Sequence, residues 1–119
     1  MHSDSLDDLR RVVTRFRDER DWAQFHSPRN LAMAISIEAS ELLEHFLWRD
    51  GGDVPPDKRQ DVADEMADVF AYLLSLADVL GIDLGQALLD KVERNSQKYP
   101  ATLVRGSARK YTEYLKEVH

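Results

Sequence analysis

An all-α protein, built as a four-helix bundle and assembled as a homo-oligomer, is what this 119-residue sequence predicts. Three observations lead there. Four segments repeat their apolar residues at helical spacing. Chain breakers are few, with 5 Gly and 4 Pro, and Gly-Gly and Pro-Pro fall together in one linker. The third helical segment is apolar nearly all round over residues 69–80, more than three small neighbours can cover. Packing against further copies of the chain is the remedy that last observation suggests.

The first helix should span about residues 4–20. Ser3 or Ser5 can cap it, and Leu6, Leu9, Val13 and Phe16 form its apolar stripe. Residues 21–26 break the pattern and read as a short connection, rich in aromatics for a loop. Ser27-Pro28 marks a helix start, with Ser at the cap and Pro at the first helical position. The second helix then runs to Trp48 or Arg49. Residues 50–56 are the clearest linker, since pre-proline residues avoid the helical region. The third helix runs from about Pro56 to Leu80, with Gly81 suited to the left-handed closing position. Asp83 caps a fourth helix that reaches Lys98 and stops before Pro100. Residues 101–107 read as a loop, followed by a short helix from Ala108.

The length bounds one domain over residues 1–119, with a basic C-terminal segment at 101–119. An apolar content of 43% with 32% charged residues is ordinary for a soluble helical protein. Absence of cysteine excludes disulfides and thiolate chemistry and fits a reducing cytoplasm. No apolar run reaches membrane length, and the N-terminus does not read as a signal peptide. A net charge of −6 argues against a general nucleic-acid binder. Its distribution says more. Residues 1–90 carry 9 Lys and Arg against 19 Asp and Glu, whereas residues 91–119 carry 7 against 3. An acidic body with a basic arm suits a phosphorylated small molecule held by a cation and the arm together.

Residues 37–72 carry the chemistry. Glu38 and Glu41, and then Glu65 and Asp68, are two acidic pairs at i, i+3 spacing, each on one helix face. At 100° per residue, Leu31, Ala34, Ile35 and Leu42 fall within roughly 60° of Glu38. Val62, Val69, Leu76 and Leu80 crowd the arc around Glu65. Most acidic pairs are solvated surface, yet both of these point coreward, where unpartnered carboxylates are costly. Lys58 is the sole basic residue on the two arcs. A divalent cation is the simpler partner, and hard oxygen ligands suit magnesium or manganese. Tyr72 stands on the acidic arc, and Trp48 lies at the end of the Glu41 face. With Trp22 they could stack a base, although core packing is the commoner role of each. Lys91, Asn95 and Lys98 share one face of the fourth helix and could meet phosphate or simply be solvated. A ferritin-like di-iron site requires Glu-x-x-His motifs, which His45 does not supply. A non-enzymatic helical interaction module leaves the coreward acids without a reason.

These residues together resemble the all-α nucleotide pyrophosphohydrolases of the MazG-like superfamily, and within it the dCTP pyrophosphatase branch. The signature is Glu-x-x-Glu followed after a linker by Glu-x-x-Asp, here Glu38-Ala-Ser-Glu41 and Glu65-Met-Ala-Asp68. ERDWAQFHSPRNL at residues 19–31 and NSQKYPATLVRGSARKY at 95–111 extend the resemblance over nearly the whole chain. It implies magnesium-dependent cleavage between the α- and β-phosphates, giving a nucleoside monophosphate and pyrophosphate, in the service of nucleotide pool cleansing. It implies that Glu38, Glu41, Glu65 and Asp68 hold Mg²⁺, with Glu38 or Glu41 activating water. Trp22, Ala23, Gln24, Phe25, His26, Trp48 and Tyr72 would line the nucleotide pocket, with Lys91, Asn95 and Lys98 as phosphate-side candidates. A dimer or tetramer is implied, the tetramer favoured. The preferred base expected from the branch is cytosine, including 5-modified forms. Two departures stand out: Ile37 occupies a position where many members carry a further Glu, and Val13 one where the branch carries a His.

Overall fold

The computed structural model describes residues 5–47 and 54–107, and every regular element in them is helical. The chain divides into two compact units, one ending at Ile82 and the other beginning at Asp83. The first holds α1 (Leu6–Glu19), α2 (Pro28–Glu44) and α3 (Arg59–Leu80). The second holds α4 (Leu84–Lys98) and a single turn, α5 (Ala101–Val104).

Local chemistry sets the ends of these helices. Ser5 Oγ accepts from the Asp8 amide, Ser27 Oγ from that of Asn30, and Asp83 Oδ1 from that of Gln86. Each thereby satisfies a donor left open in a first helical turn. The turn that closes α1 puts Asp21 in the left-handed region, φ 54°. The Asp21 amide donates to Asp18 O and the Trp22 amide to Arg17 O at 3.0 Å, the paired bonds of a Schellman turn. α3 ends the same way at Gly81, φ 66°, with the Ile82 amide on Ala77 O. Glycine has no Cβ to resist that conformation.

Several boundaries differ from the sequence expectation. The connection after α1 contains a 3₁₀ turn, Ala23–Phe25. α2 closes at Glu44 because its end tightens to i, i+3 bonds, with the amides of His45 and Phe46 on Leu42 O and Leu43 O. Trp48 lies outside the described residues. α3 is preceded by a 3₁₀ turn, Pro56–Lys58. Residues 101–104 are helical where a loop was expected: Pro100 ends α4 and, with its ψ of 133°, starts α5. The helix expected from Ala108 lies outside the described residues.

α3 is the centre of the first unit and packs against both α2 and α1, most extensively against α2. Leu31, Leu74 and Ala77 are buried, and so is Ser75, whose Oγ donates to Ala71 O. Around this small core much apolar surface remains exposed, including Met66, Phe70, Leu73, Val79 and Leu80 of α3. In the second unit no described residue is buried, and Leu88, Leu89 and Val92 of α4 are more than half exposed. No described helix is long and apolar enough to cross a membrane.

Candidate functional site

Where α2 lies against α3, the two acidic pairs meet. Carboxylate oxygens of Glu38, Glu65 and Asp68 all lie within 4.8 Å of one another. Oε2 of Glu38 and Oε2 of Glu65 are both shut from water, and no N–H or hydroxyl donor among the described residues reaches either. Among the described residues no ion pair reaches any of the three. Lys58, the basic residue the sequence offered, instead approaches Asp61 at 3.9 Å. Glu38 responds by holding its proton, its carboxyl pushed up from 4.5 to about 7. Burial is the largest cause. Contacts to the Glu41 and Glu65 carboxylates follow, since a proton on Glu38 lets it donate to either. The charges of Glu41 and Asp68 add to the shift.

Glu41 thus stands beside Glu38 but outside the three-carboxylate set. Three of the four acids expected at the cluster converge, and the fourth is their neighbour. Orphaned buried oxygens on Glu38 and Glu65, with the exposed Asp68 converging on them, fit a hard divalent cation, which would satisfy them and offset the repulsion among the acids.

Asp68 also belongs to a second feature. A cavity of about 150 Å³ opens between α1 and α3, with Asp68, Ala71, Tyr72 and Ser75 on the α3 side. Those four fall on one face of the helix by their three- and four-residue spacing. α1 supplies Val13, Phe16 and Arg17, and the following segment supplies Trp22 and His26. The Schellman turn folds Trp22 back, and its ring meets Phe16 edge-to-face with centroids 5.6 Å apart. Asn30 Nδ2 donates to Phe25 O and ties the 3₁₀ turn to α2. Nδ1 of His26 is shut from water, with no partner among the described residues. Burial, and then the charge of Arg17, draws His26 below the usual histidine range.

Of the aromatic block expected at the pocket, Trp22, His26 and Tyr72 line it. Ala23, Gln24 and Phe25 are exposed and do not line it. The Gln24 amide is occupied locally, donating to both the backbone and the carboxylate of Asp21. Lys91, Asn95 and Lys98 belong to α4 in the second unit.

Arg17 is the residue that sequence reasoning passed over. Its side chain is 13% exposed, its Nε donates to Asp18 Oδ1 at 2.8 Å, and its Nη1 donates to Asp78 Oδ2 at 3.0 Å. Arg10 holds the other oxygen of Asp78 at 3.2 Å. One signal was available: Arg17 is four residues beyond Val13, on the apolar side of α1. Ser75, seven residues beyond Asp68, was likewise on the acidic arc.

Comparison with known proteins agrees along most of the chain. A profile of the MazG-like family matches residues 33–114. dCTP pyrophosphatase 1 of Mus musculus is 44% identical over 114 residues, covering 92% of this chain and 67% of that protein. The Homo sapiens dCTP pyrophosphatase 1 gives the same figures. Among solved structures, a pyrophosphatase from Archaeoglobus fulgidus superposes with a TM-score of 0.76 at 41% identity, covering 84% of this chain and 96% of that one.

Proposed function

Because the chain belongs to the MazG-like family, we propose that it is a nucleoside triphosphate diphosphatase acting on dCTP and its 5-modified forms. It hydrolyses the bond between the α- and β-phosphates and releases the monophosphate and pyrophosphate. The observation that carries the reading is the sharing of Asp68 between the acid cluster and the aromatic cavity. A ligand spanning that junction needs a charged end and a flat apolar end, which describes a nucleotide.

Glu38, Glu65 and Asp68 would hold Mg²⁺, with Glu41 beside them. A bound Mg²⁺ supplies charge neutralisation of the phosphates and of the leaving pyrophosphate. The chain's own residues do the rest. Glu41, outside the three-carboxylate set, is free to orient the attacking water and take its proton. The rings of Trp22 and Tyr72 stack the base, for roughly 1–3 kcal/mol each. Trp48 is proposed to join them, and Lys91, Asn95 and Lys98 to receive phosphate. Residues 1–119 would act as one domain, and the exposed apolar side chains of α3 favour a homo-oligomer, a tetramer before a dimer. The working place proposed is the cytoplasm, where removal of unwanted nucleotides would serve pool cleansing.

The test is a panel of nucleoside triphosphates with Mg²⁺, scored for pyrophosphate against orthophosphate. Pyrophosphate with dCTP foremost is expected, and excess EDTA should abolish it. Orthophosphate as the first product would assign another phosphohydrolase class. No hydrolysis would leave a non-enzymatic helical module.

A further inference from the structure

We propose that Arg17 is a specificity-determining residue, a fixed hydrogen-bond donor that reads the acceptor edge of cytosine in the cavity between α1 and α3. The inference rests on the diphosphatase reading for the orientation of the ligand, phosphates at the acid cluster and base in the cavity. The rest comes from the cavity itself.

Its walls are mainly apolar and aromatic, with Val13, Phe16, Trp22 and Tyr72. Such walls give affinity for any base and little choice. Choice needs polar positions that the wrong base leaves unmatched. Two are present. Nδ1 of His26 is closed to water and has no partner among the described residues. Arg17 has two of its three nitrogens committed, Nε to Asp18 and Nη1 to Asp78, while Nη2 has no partner among the described residues. Those two bonds come from different helices, so the guanidinium is held in place. Asp78 is itself held by Arg10. A cation already flanked by two carboxylates is a weak competitor for phosphate but remains a full donor.

The chemistry of the bases then separates the two positions. A guanidinium donates and never accepts. Cytosine presents N3 and O2, both acceptors, beside its amino donor. Uracil and thymine share the O2 acceptor but carry N3–H, so a donor set against position 3 faces another donor there. An imidazole can exchange its tautomer and meet either an amino group or a carbonyl. His26 therefore tolerates both pyrimidines, and the discrimination falls to Arg17.

The experiment compares wild type, Arg17→Met and Arg10→Met. Arg17→Met keeps the length of the stem and removes every donor. Arg10→Met removes another bond to the same Asp78, between the same helices, without touching the cavity. Two readouts are taken: the ratio of kcat/KM for dCTP over dTTP, and the ratio of affinities for dCMP over dTMP by calorimetry, which needs no turnover. Arg17→Met should lower both ratios about tenfold or more, the scale of an unmatched polar group. Arg10→Met should leave both within about threefold while lowering the melting temperature. Equal shifts in the two variants would make Arg17 a packing residue and overturn the proposal. So would an unchanged dCMP preference in Arg17→Met, or a wild type that binds dTMP as well as dCMP. Preferential dCMP binding through Arg17 without triphosphate hydrolysis would uphold the base reading and sink the diphosphatase reading instead.

Discussion

Ten residues apart on α3, two aspartates meet opposite surroundings. Asp68 faces Glu38 and Glu65, acid against acid, with no ion pair to a cation among the described residues. Asp78 lies between Arg10 and Arg17 and is neutralised from both sides. The residue type and the helix are the same, and the neighbouring helix decides the outcome. α2 brings more carboxylate to its end of the face, while α1 brings arginine to the other. One end of the face therefore stores repulsion that a ligand can relieve, and the other stores attraction that fixes the helices. A binding site and a structural clamp have been made from the same side chain.

The largest effect expected from breaking this contrast is at Asp68. Asp68→Asn removes one ligand oxygen's charge and should lower kcat/KM by about a thousandfold or more, as losses at charge-stabilising groups do. The metal-free variant should also melt above wild type, because the Asp68 charge that presses on Glu38 is gone. Retained activity, or a lower melting temperature in EDTA, would show that the acids are not mutually repulsive ligands.

Asp78→Ala should do the reverse. It leaves the largely buried Arg17 without its partner on α3, at a cost of about 1–3 kcal/mol. The Arg10 bond, more exposed at 39% of its side chain, adds little. Thermal unfolding should shift down by several degrees, with Mg²⁺ still raising the melting temperature by a similar increment. Loss of that Mg²⁺ response would mean that the two ends of the face are not independent.

The smallest effect is a slope with pH. In the metal-free protein Glu38 holds its proton up to about pH 7, against an ordinary value of 4.5. Between those values the folded chain keeps a proton that the unfolded chain has released. Raising the pH through the window therefore favours unfolding, and the melting temperature in EDTA should fall from pH 5 to pH 8. Glu38→Gln should flatten the fall. An equal slope in that variant would assign the titration elsewhere.

How much of this was legible beforehand follows the same divide. The acid cluster could be read because spacing and apolar arcs are properties of single helices, and Glu38, Glu65 and Asp68 each stood on such an arc. The clamp could not, because Arg10, Arg17 and Asp78 become partners only when α1 crosses α3. Gln24 shows a local bond that spacing does not reveal. Its amide suited a base edge on paper, but the left-handed Asp21 turns its own carbonyl and carboxylate toward it. Short helical turns such as α5 carry too few residues for a periodic pattern, so a proline alone had to signal them. The bundle class itself was legible from long amphipathic segments, and the exposed apolar surface of α3 was visible as an all-round apolar run.

The Schellman turn at Asp21 has a mechanical consequence. Through it the Trp22 amide is bonded to the carbonyl of Arg17, so the aromatic wall and the cation of the cavity are sewn to each other by the backbone. There is no hinge between them. Fraying of the last turn of α1 would release both at once, and neither can yield separately to a larger or differently shaped occupant. Adaptation of the cavity must come from its other wall, along α3, or from His26, which sits beyond the turn on the approach to α2.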